Sequence, residues 1–567
     1  VLRRASSQIG PVFYISVALS VLFVLWGVFF TSNLSSVFSA ALNFLVNNFG
    51  WAYTVIITAF LVFLIFLGVS RYGRVRLGGD DERPEFNRFS WFTMLFSAGI
   101  GLSFLFWGVA EPAYHLGTSP YGLQESGTAE AANLSMQYTF FNWGLGAWGV
   151  YAVLALTVAY FKYRRGNNGM ISAAFYPLIG DRVNGPIGKA IDILAIFAVL
   201  FGVATALGIG AQQLGGGLSS VFGLALDNTL QLSIIFVLTI AFLASAVTGL
   251  AKGIRYLSWI NMTLAGLLTL FVFIVGPTVY LLGTFGGGIV NYVTGFIPMT
   301  LRASNFEATS WEQSWTLFYW AWWVSWAPFV GTFIARISRG RTIRDFIVGV
   351  VVIPTLASFA WFSIYGGTSM NLTRSGEANI SSIAANNLPE SLFATLGALP
   401  LGAITSVVAL ILVSIFFVTS GDSATFVLGS MSTDGAAEPN IAVKITWGVI
   451  IASFAAVLLV SGGLTALQTA TLVAAAPFSI IMVFMCVSLF MMLYRESKEQ
   501  SPTGDPERPE RPAREPGEPS KTSTASTTAE GHNGSNGEHG EHGEHGNGVD
   551  GEPVETTRGR GRQSSDR

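Results

Sequence analysis

Charged residues make up only 11% of this 567-residue chain, and cysteine is almost absent. An ordinary soluble domain carries roughly 25% charged residues, so the polar surface that would keep a protein of this size in water is missing. The shortage is sharper than the average, because 15 acids and 9 bases crowd into residues 496–567, leaving 22 bases and 18 acids for the first 495. A water-soluble enzyme of ordinary composition is thereby excluded. The single cysteine, Cys486, excludes an internal disulfide and sits in the apolar run IMVFMCVSLF as a buried structural thiol. Histidine is as scarce: four of five (His532, His539, His542, His545) lie in the acidic tail, three of them in a GEHGEHGEHG repeat that reads as solvated. No His/Cys/Asp ligand cluster or nucleophile motif lies within the apolar body, which argues against an enzyme, and no cofactor or nucleic-acid partner is expected.

What is abundant is apolar sequence, 51% of the chain. A helix needs roughly 20 mainly apolar residues to cross a bilayer. Twelve stretches meet that need: 12–31, 50–70, 89–115, 136–162, 187–213, 230–251, 256–283, 311–337, 342–365, 398–421, 441–463 and 466–494. The first is too long, and lacks the small-residue cleavage site, for a signal peptide. Alternate loops are rich and poor in Lys and Arg. Arg71, Arg74 and Arg76, then Lys162, Arg164 and Arg165, then Lys252 and Arg255, then Arg336, Arg339, Arg341 and Arg344 occupy one set, and the other holds only Arg302 and Arg374. The positive-inside rule therefore places both termini in the cytoplasm, and the apolar body has lipid as its solvent, the cell's inner (plasma) membrane being the expected location. Segment 284–310 reads as an amphipathic helix at the outer interface, 376–397 as a second, and the Pro-, Glu-, Ser- and Gly-rich tail after about Arg495 as disordered.

A helix-breaking cluster inside a membrane is tolerated where it lines a protected cavity. The third span has one, Ser97-Ala98-Gly99-Ile100-Gly101-Leu102-Ser103, at a depth of roughly 12–21 Å; close packing by small residues is the alternative. Aromatic residues gather at similar depth. Trp143, Trp148 and Tyr151 fall on one face of one helix, the fourth span, and Trp322, Trp323 and Trp326 within about a 100° arc of the eighth. Interfacial anchoring explains Trp91 and Trp311, but not four tryptophans in seven residues around Pro328. Indole and phenol faces with no acid among them suit a quaternary ammonium, which cannot donate hydrogen bonds; a purely structural aromatic core is the alternative. None of the acids Glu111, Asp192, Glu312 and Asp422 falls near a span centre, so a carboxylate proton relay has no evident member. Thr419 and Ser420, near the end of the tenth span, offer oxygen ligands for a small hard cation, or simply bond their own helix.

The segments FWGVAEP (Phe106 to Pro112), NWGLGAWGVY (Asn142 to Tyr151), FYWAWWVSWAPFVGTFIARISRGRTIRDF (Phe318 to Phe346) and FFVTSGDSA (Phe416 to Ala424) occur in the order seen in the betaine/choline/carnitine transporter family, which the chain resembles from about residue 10 to 495. The resemblance implies an all-α polytopic membrane protein of about twelve helices with a leucine-transporter-like fold. Two extra helices (1–88) precede two inverted five-helix repeats (89–283 and 311–495), joined by the outer helix 284–310 and followed by the tail 496–567. It implies a secondary transporter that imports a quaternary-ammonium compatible solute, glycine betaine foremost, by sodium symport and alternating access for osmoprotection. Choline, carnitine or another methylated amine, with sodium or proton coupling, is the alternative. The family's aromatic box falls on Trp143, Trp148, Tyr151, Trp322, Trp323 and Trp326, with Gly99, Gly101 and Ser103 beside it. Its sodium site falls on the carbonyls of Ser97, Ile100 and Phe416 and the hydroxyls of Thr419 and Ser420. Ser103 stands where betaine carriers have glycine and choline carriers an acid; a neutral site favours a zwitterion. Val199 and Val203 stand where a second sodium site has hydroxyls, and the seventh span lacks the arginine of sodium-independent exchangers. The acidic tail departs from the basic C-terminal helix of osmosensing members. Relatives are often trimers, so a homotrimer is an expectation of the resemblance alone.

Overall fold

Apolar runs of this length leave the backbone one way to satisfy its amides without water, and the chain takes it. A computed structural model describes residues 9–99, 101–248, 251–304 and 308–499, the stretches 96–99 and 251–255 by their backbone alone. The tail and its four histidines lie outside the described residues. Among the described residues there is no strand, only an isolated bridge between Arg76 and Thr342.

Among the described residues fourteen long helices carry the architecture. They are α1 (Pro11–Phe29), α2 (Thr31–Val69), α3 (Arg88–Gly99), α4 (Leu102–Gly117), α5 (Ala129–Trp143), α6 (Leu145–Ala159) and α7 (Pro186–Phe222), then α8 (Asn228–Thr248), α9 (Ala251–Val275), α10 (Thr278–Arg302), α11 (Phe318–Ile337), α12 (Ile353–Ser375), α13 (Gly402–Ser432) and α14 (Ile441–Glu499). Nine helical segments among the described residues are long and apolar enough to cross a membrane. Exposed Val62, Val69 and Val279 belong to an apolar outer surface that water would not tolerate but lipid solvates. The protein is a multi-pass membrane protein.

The helices break where the sequence supplies breakers. The third span divides into α3 and α4 around extended Gly101 (φ −131°, ψ −153°), as its small-residue cluster predicts. The fourth divides at Gly144 (φ −91°, ψ −136°), which sequence periodicity does not show. Within α14, Gly463 takes φ +60°, a region closed to most side chains, and separates two helices that together would run roughly 90 Å. The seventh span ends at Val275, earlier than its apolar run, because Gly276-Pro277 interrupts it; the expected outer helix accordingly begins at Thr278. The segment 376–397 holds two short helices, Ile380–Asn386 and Ser391–Gly397.

Loops sort to two ends of the bundle. At one end Gly340 N–H donates to Leu77 O (2.8 Å) and Leu77 N–H to Arg341 O (2.8 Å), Arg339 pairs with Glu82, and Arg164 reaches Asp80 (2.7 Å) and the Gly78 carbonyl (2.9 Å). Glu496, at the end of α14, accepts from Tyr160 (2.6 Å) and Arg164 there. At the other end Arg302 lies over Tyr121, which stacks against Trp311. Trp91 corrects the interfacial reading. Trp91 is fully buried, donates to Ser338 Oγ (3.1 Å) and lies under the Arg341 guanidinium, while Trp311 packs on His115, Tyr121 and Tyr138.

Candidate substrate and ion site

Trp143 is the last residue of α5, and after the break at Gly144 the chain resumes as α6 with Trp148 and Tyr151. The assignment of all three to one face of one helix is therefore corrected: two helix segments supply them, and the break turns both toward α11. There Trp323 is the hub. Its ring centroid lies 4.8 Å from that of Trp143, 6.1 Å from Tyr151 and 5.5 Å from Trp322, with which it is nearly parallel. Trp148 joins through Tyr151 (5.7 Å) and Trp326 through Trp322 (6.4 Å). All six aromatic candidates thus form one continuous cluster. Tyr319, one turn before Trp323, stacks on it at 5.7 Å and closes against Trp143 at 5.2 Å, and Phe104 and Phe362 complete the wall around Trp143.

Each indole N–H in the cluster has an acceptor, so the rings are held by their edges and leave their faces for packing. Trp323 donates to the Asn142 carbonyl (2.9 Å), Trp322 and Trp326 both donate to the Gly202 carbonyl of α7 (3.3 and 2.9 Å), and Trp148 donates to Ser358 Oγ (3.3 Å). Gly202 is needed for the approach, since a Cβ there would stand 2.8 Å from Trp326 Cδ1. Trp143 donates to Glu111 Oε2 at 2.6 Å. Glu111 is fully buried and also accepts from Tyr319 OH (2.6 Å) and Asn142 Nδ2 (2.9 Å). The expectation of an aromatic site with no acid among its members is corrected: no acid faces into the ring cluster, but one carboxylate holds two of its rings from behind. Span-centre counting missed it because Glu111 lies on α4 beyond the break, where it is brought to the cluster by packing. The signals were present in the FWGVAEP segment and in the four-residue spacing of Tyr319 and Trp323.

A cavity of about 840 Å³ enters the bundle from the Lys- and Arg-rich end, where Lys162, Arg336 and Lys444 line it. Gly101, Trp326, Phe416, Thr419 and Ser420 line it deeper, so the helix break, one edge of the aromatic cluster and three of the ion-site candidates meet in one space. A methyl group at Gly101 would sit 4.0 Å from Ser420 Oγ, which gives the closeness of α13 to the break. Thr419 Oγ1 donates to the carbonyls of Ile415 (2.9 Å) and Phe416 (3.2 Å), the self-bonding alternative, and α13 runs unbroken through all three residues. Unwinding belongs to the opposite partner alone. Ile100 lies outside the described residues, as does the side chain of Ser97, while Gly99 is the last residue of α3. Ser103 is buried just past the break, and Val199 and Val203 are buried in α7. Leu102 caps the break by packing on Gly210, where a Cβ would meet its Cδ2.

The model of the betaine/carnitine/choline transporter family matches residues 11–498, which includes every element just described. The chain belongs to the betaine/carnitine/choline transporter family. It is 48% identical over 495 residues to the glycine betaine transporter OpuD of Bacillus subtilis, covering 87% of this chain and 96% of that one. A probable glycine betaine transporter of Desulfitobacterium hafniense is 42% identical, covering 85% and 97%, and an ectoine/hydroxyectoine transporter of Virgibacillus pantothenticus 40% identical, covering 86% and 97%. Members of this family are transporters and not enzymes, and compatible-solute transport is the activity this membership supports.

Proposed function

We propose that this family member imports glycine betaine, or a close quaternary-ammonium compatible solute, by sodium symport with alternating access, and that it serves osmoprotection. The observation that carries this reading is the single cluster of six aromatic residues meeting the inner end of a deep cavity at Trp326. A trimethylammonium group gains by lying against indole faces, each desolvated contact being worth about 2 kcal/mol, and no hydrogen-bond acceptor is required of the site. The substrate carboxylate would take amides freed at the break between α3 and α4 around Gly99, Gly101 and Ser103. The names of relatives that carry glycine betaine support the same choice.

Sodium is assigned to the carbonyls of Ser97, Ile100 and Phe416 with the hydroxyls of Thr419 and Ser420. The support is the juxtaposition of Ser420 with the break. Thr419 Oγ1 keeps its lone pairs while donating to its own helix, so it can accept a cation without being displaced. No cofactor beyond this coupling ion is proposed.

Twelve spans follow when the nine apolar helical segments are joined by α3 with α4, by α11, and by the division of α14 at Gly463. The inverted repeats 89–283 and 311–495, the linker 284–310 and the tail 496–567 are retained as the proposed domain plan, with a homotrimer as the proposed assembly. The Lys- and Arg-rich end faces the cytoplasm on the positive-inside rule, with both termini inside the cell's inner membrane, which makes the described conformation inward-facing.

Uptake of labelled glycine betaine into proteoliposomes under an inward sodium gradient tests the reading, with potassium replacing sodium and with excess unlabelled choline as the two controls. Accumulation that requires sodium and resists choline is expected. Uptake indifferent to sodium removes the ion site, and absence of uptake in favour of choline or ectoine reassigns the substrate.

A further inference from the structure

One buried charge stands against the aromatic cluster without lying in the cavity. Glu111 Oε2 accepts from Trp143 Nε1 (2.6 Å) and Tyr319 OH (2.6 Å), Oε1 accepts from Asn142 Nδ2 (2.9 Å), and the residue is fully buried. These three neighbours at bonding distance can all donate, and the indole and amide nitrogens can only donate, the set that a carboxylate rather than a carboxylic acid accepts. The titratable group beside it is His115, also fully buried, with Nε2 3.5 Å from Oε1 but not aligned for a hydrogen bond; neither ring nitrogen has a partner. An indole or phenol whose N–H or O–H is bonded to an anion carries more electron density on its ring, and the two rings bonded to Glu111 in this way, Trp143 and Tyr319, pack directly on Trp323.

We propose that Glu111 is a specificity-determining positioning residue: its carboxylate, hidden behind Trp143 and Tyr319, makes the aromatic site electronegative and so selects a quaternary ammonium over an uncharged group of the same shape. This rests on the assignment of the aromatic cluster as the substrate site. The same carboxylate ties α4, α5 and α11 together, so a purely structural role has to be separated from an electrostatic one. Shape and charge are separated by the ligand. Glycine betaine and tert-butylacetate differ in having nitrogen or carbon at the centre of three methyl groups, and so in the charge of the head alone.

The test is competition binding in proteoliposomes by wild-type protein, Glu111→Gln and Glu111→Asp, with glycine betaine and tert-butylacetate as probes and with KM and maximal uptake rate measured for glycine betaine. Glu111→Gln is expected to weaken glycine betaine about tenfold, largely in KM, while tert-butylacetate stays within about twofold or tightens. Glu111→Asp, which keeps the charge, is expected to hold the ratio of the two affinities within about threefold of wild type even if both fall. A parallel loss of both ligands in Glu111→Gln overturns the proposal, as does collapse of the ratio in Glu111→Asp. The second variant also decides the matter if the first does not fold. Should the wild type bind neither probe, the substrate reading fails first and the proposal with it; should it bind glycine betaine with the ratio unchanged in Glu111→Gln, that reading stands and only the role of Glu111 falls.

Discussion

Trp323 packs on Trp143, Tyr151, Tyr319 and Trp322, and its N–H is fixed by the Asn142 carbonyl. Replacing it by Leu keeps an apolar side chain but removes the face on which a cation would rest. Trp323→Leu is expected to abolish saturable uptake of glycine betaine, through an affinity loss of about 30-fold or more, measured as initial rate against concentration. Thr419 offers a different test, because Ala removes one oxygen and leaves α13 intact. For Thr419→Ala the sodium concentration giving half-maximal uptake is expected to rise roughly tenfold, with little change in thermal stability. At this scale much was legible: all six aromatic candidates lie in one cluster because each falls within a motif dense in tryptophan. Glu111 was not, because a carboxylate is recognised as part of a site only when its three donors, drawn from two other helices, are known.

Elements reach one another through breaks and small residues. The division at Gly144 sends Trp143 and Trp148 from two helix ends toward α11, and Gly202 lets α7 come close enough for its carbonyl to accept from two indoles. A Val at 202 would press on Trp326 Cδ1 and on Ser325, whose Cβ would be 3.1 Å from the added atom. Gly202→Val is expected to cost about 1–3 kcal/mol, seen as a lower Tm in detergent, and to weaken glycine betaine binding by displacing Trp326. The break at Gly101 was readable from its small-residue run. That at Gly144 was not, since hydropathy averaged over the length of a span merges the two halves into one apolar stretch.

For the whole molecule, the arrangement of loops decides which way the cavity opens. Segments around 75–88, 160–165 and 338–345 and the end of α14 are bonded together at one end, the end whose loops carry most of the Lys and Arg of the apolar body. Ser423 lies on the cavity wall, exposed, between that end and Ser420. In a variant carrying Cys486→Ser and Ser423→Cys, a membrane-impermeant thiol reagent is expected to label inside-out vesicles much faster than right-side-out ones, and excess sodium with glycine betaine to slow the labelling. Equal labelling from both sides argues against an inward-facing cavity. Glu496 closes the same end, with Tyr160, Arg164 and Arg165 converging on a nearly buried carboxylate. Glu496→Ala removes the acceptor these three groups share, leaving Arg164 with Asp80 and the Gly78 carbonyl alone, and is expected to lower stability by about 1–3 kcal/mol, measured by thermal unfolding.

Composition and periodicity alone determine that this chain lives in lipid, where it breaks at Gly101, which loops share an end and which aromatic residues belong together. These follow from local physics: backbone amides without water must bond within helices, Gly cannot hold a helix that it interrupts, and tryptophan at mid-depth needs a reason. Tertiary structure alone decides that Trp143 and Trp148 lie on separate helices, that Trp91 is fully buried, that the cavity reaches Trp326 and Ser420 from the basic end, and that Glu111 stands behind the cluster. Each of these depends on distances between residues far apart in the chain, such as the 208 positions from Glu111 to Tyr319, and hydrophobic patterning within a span carries no information about which faces will meet.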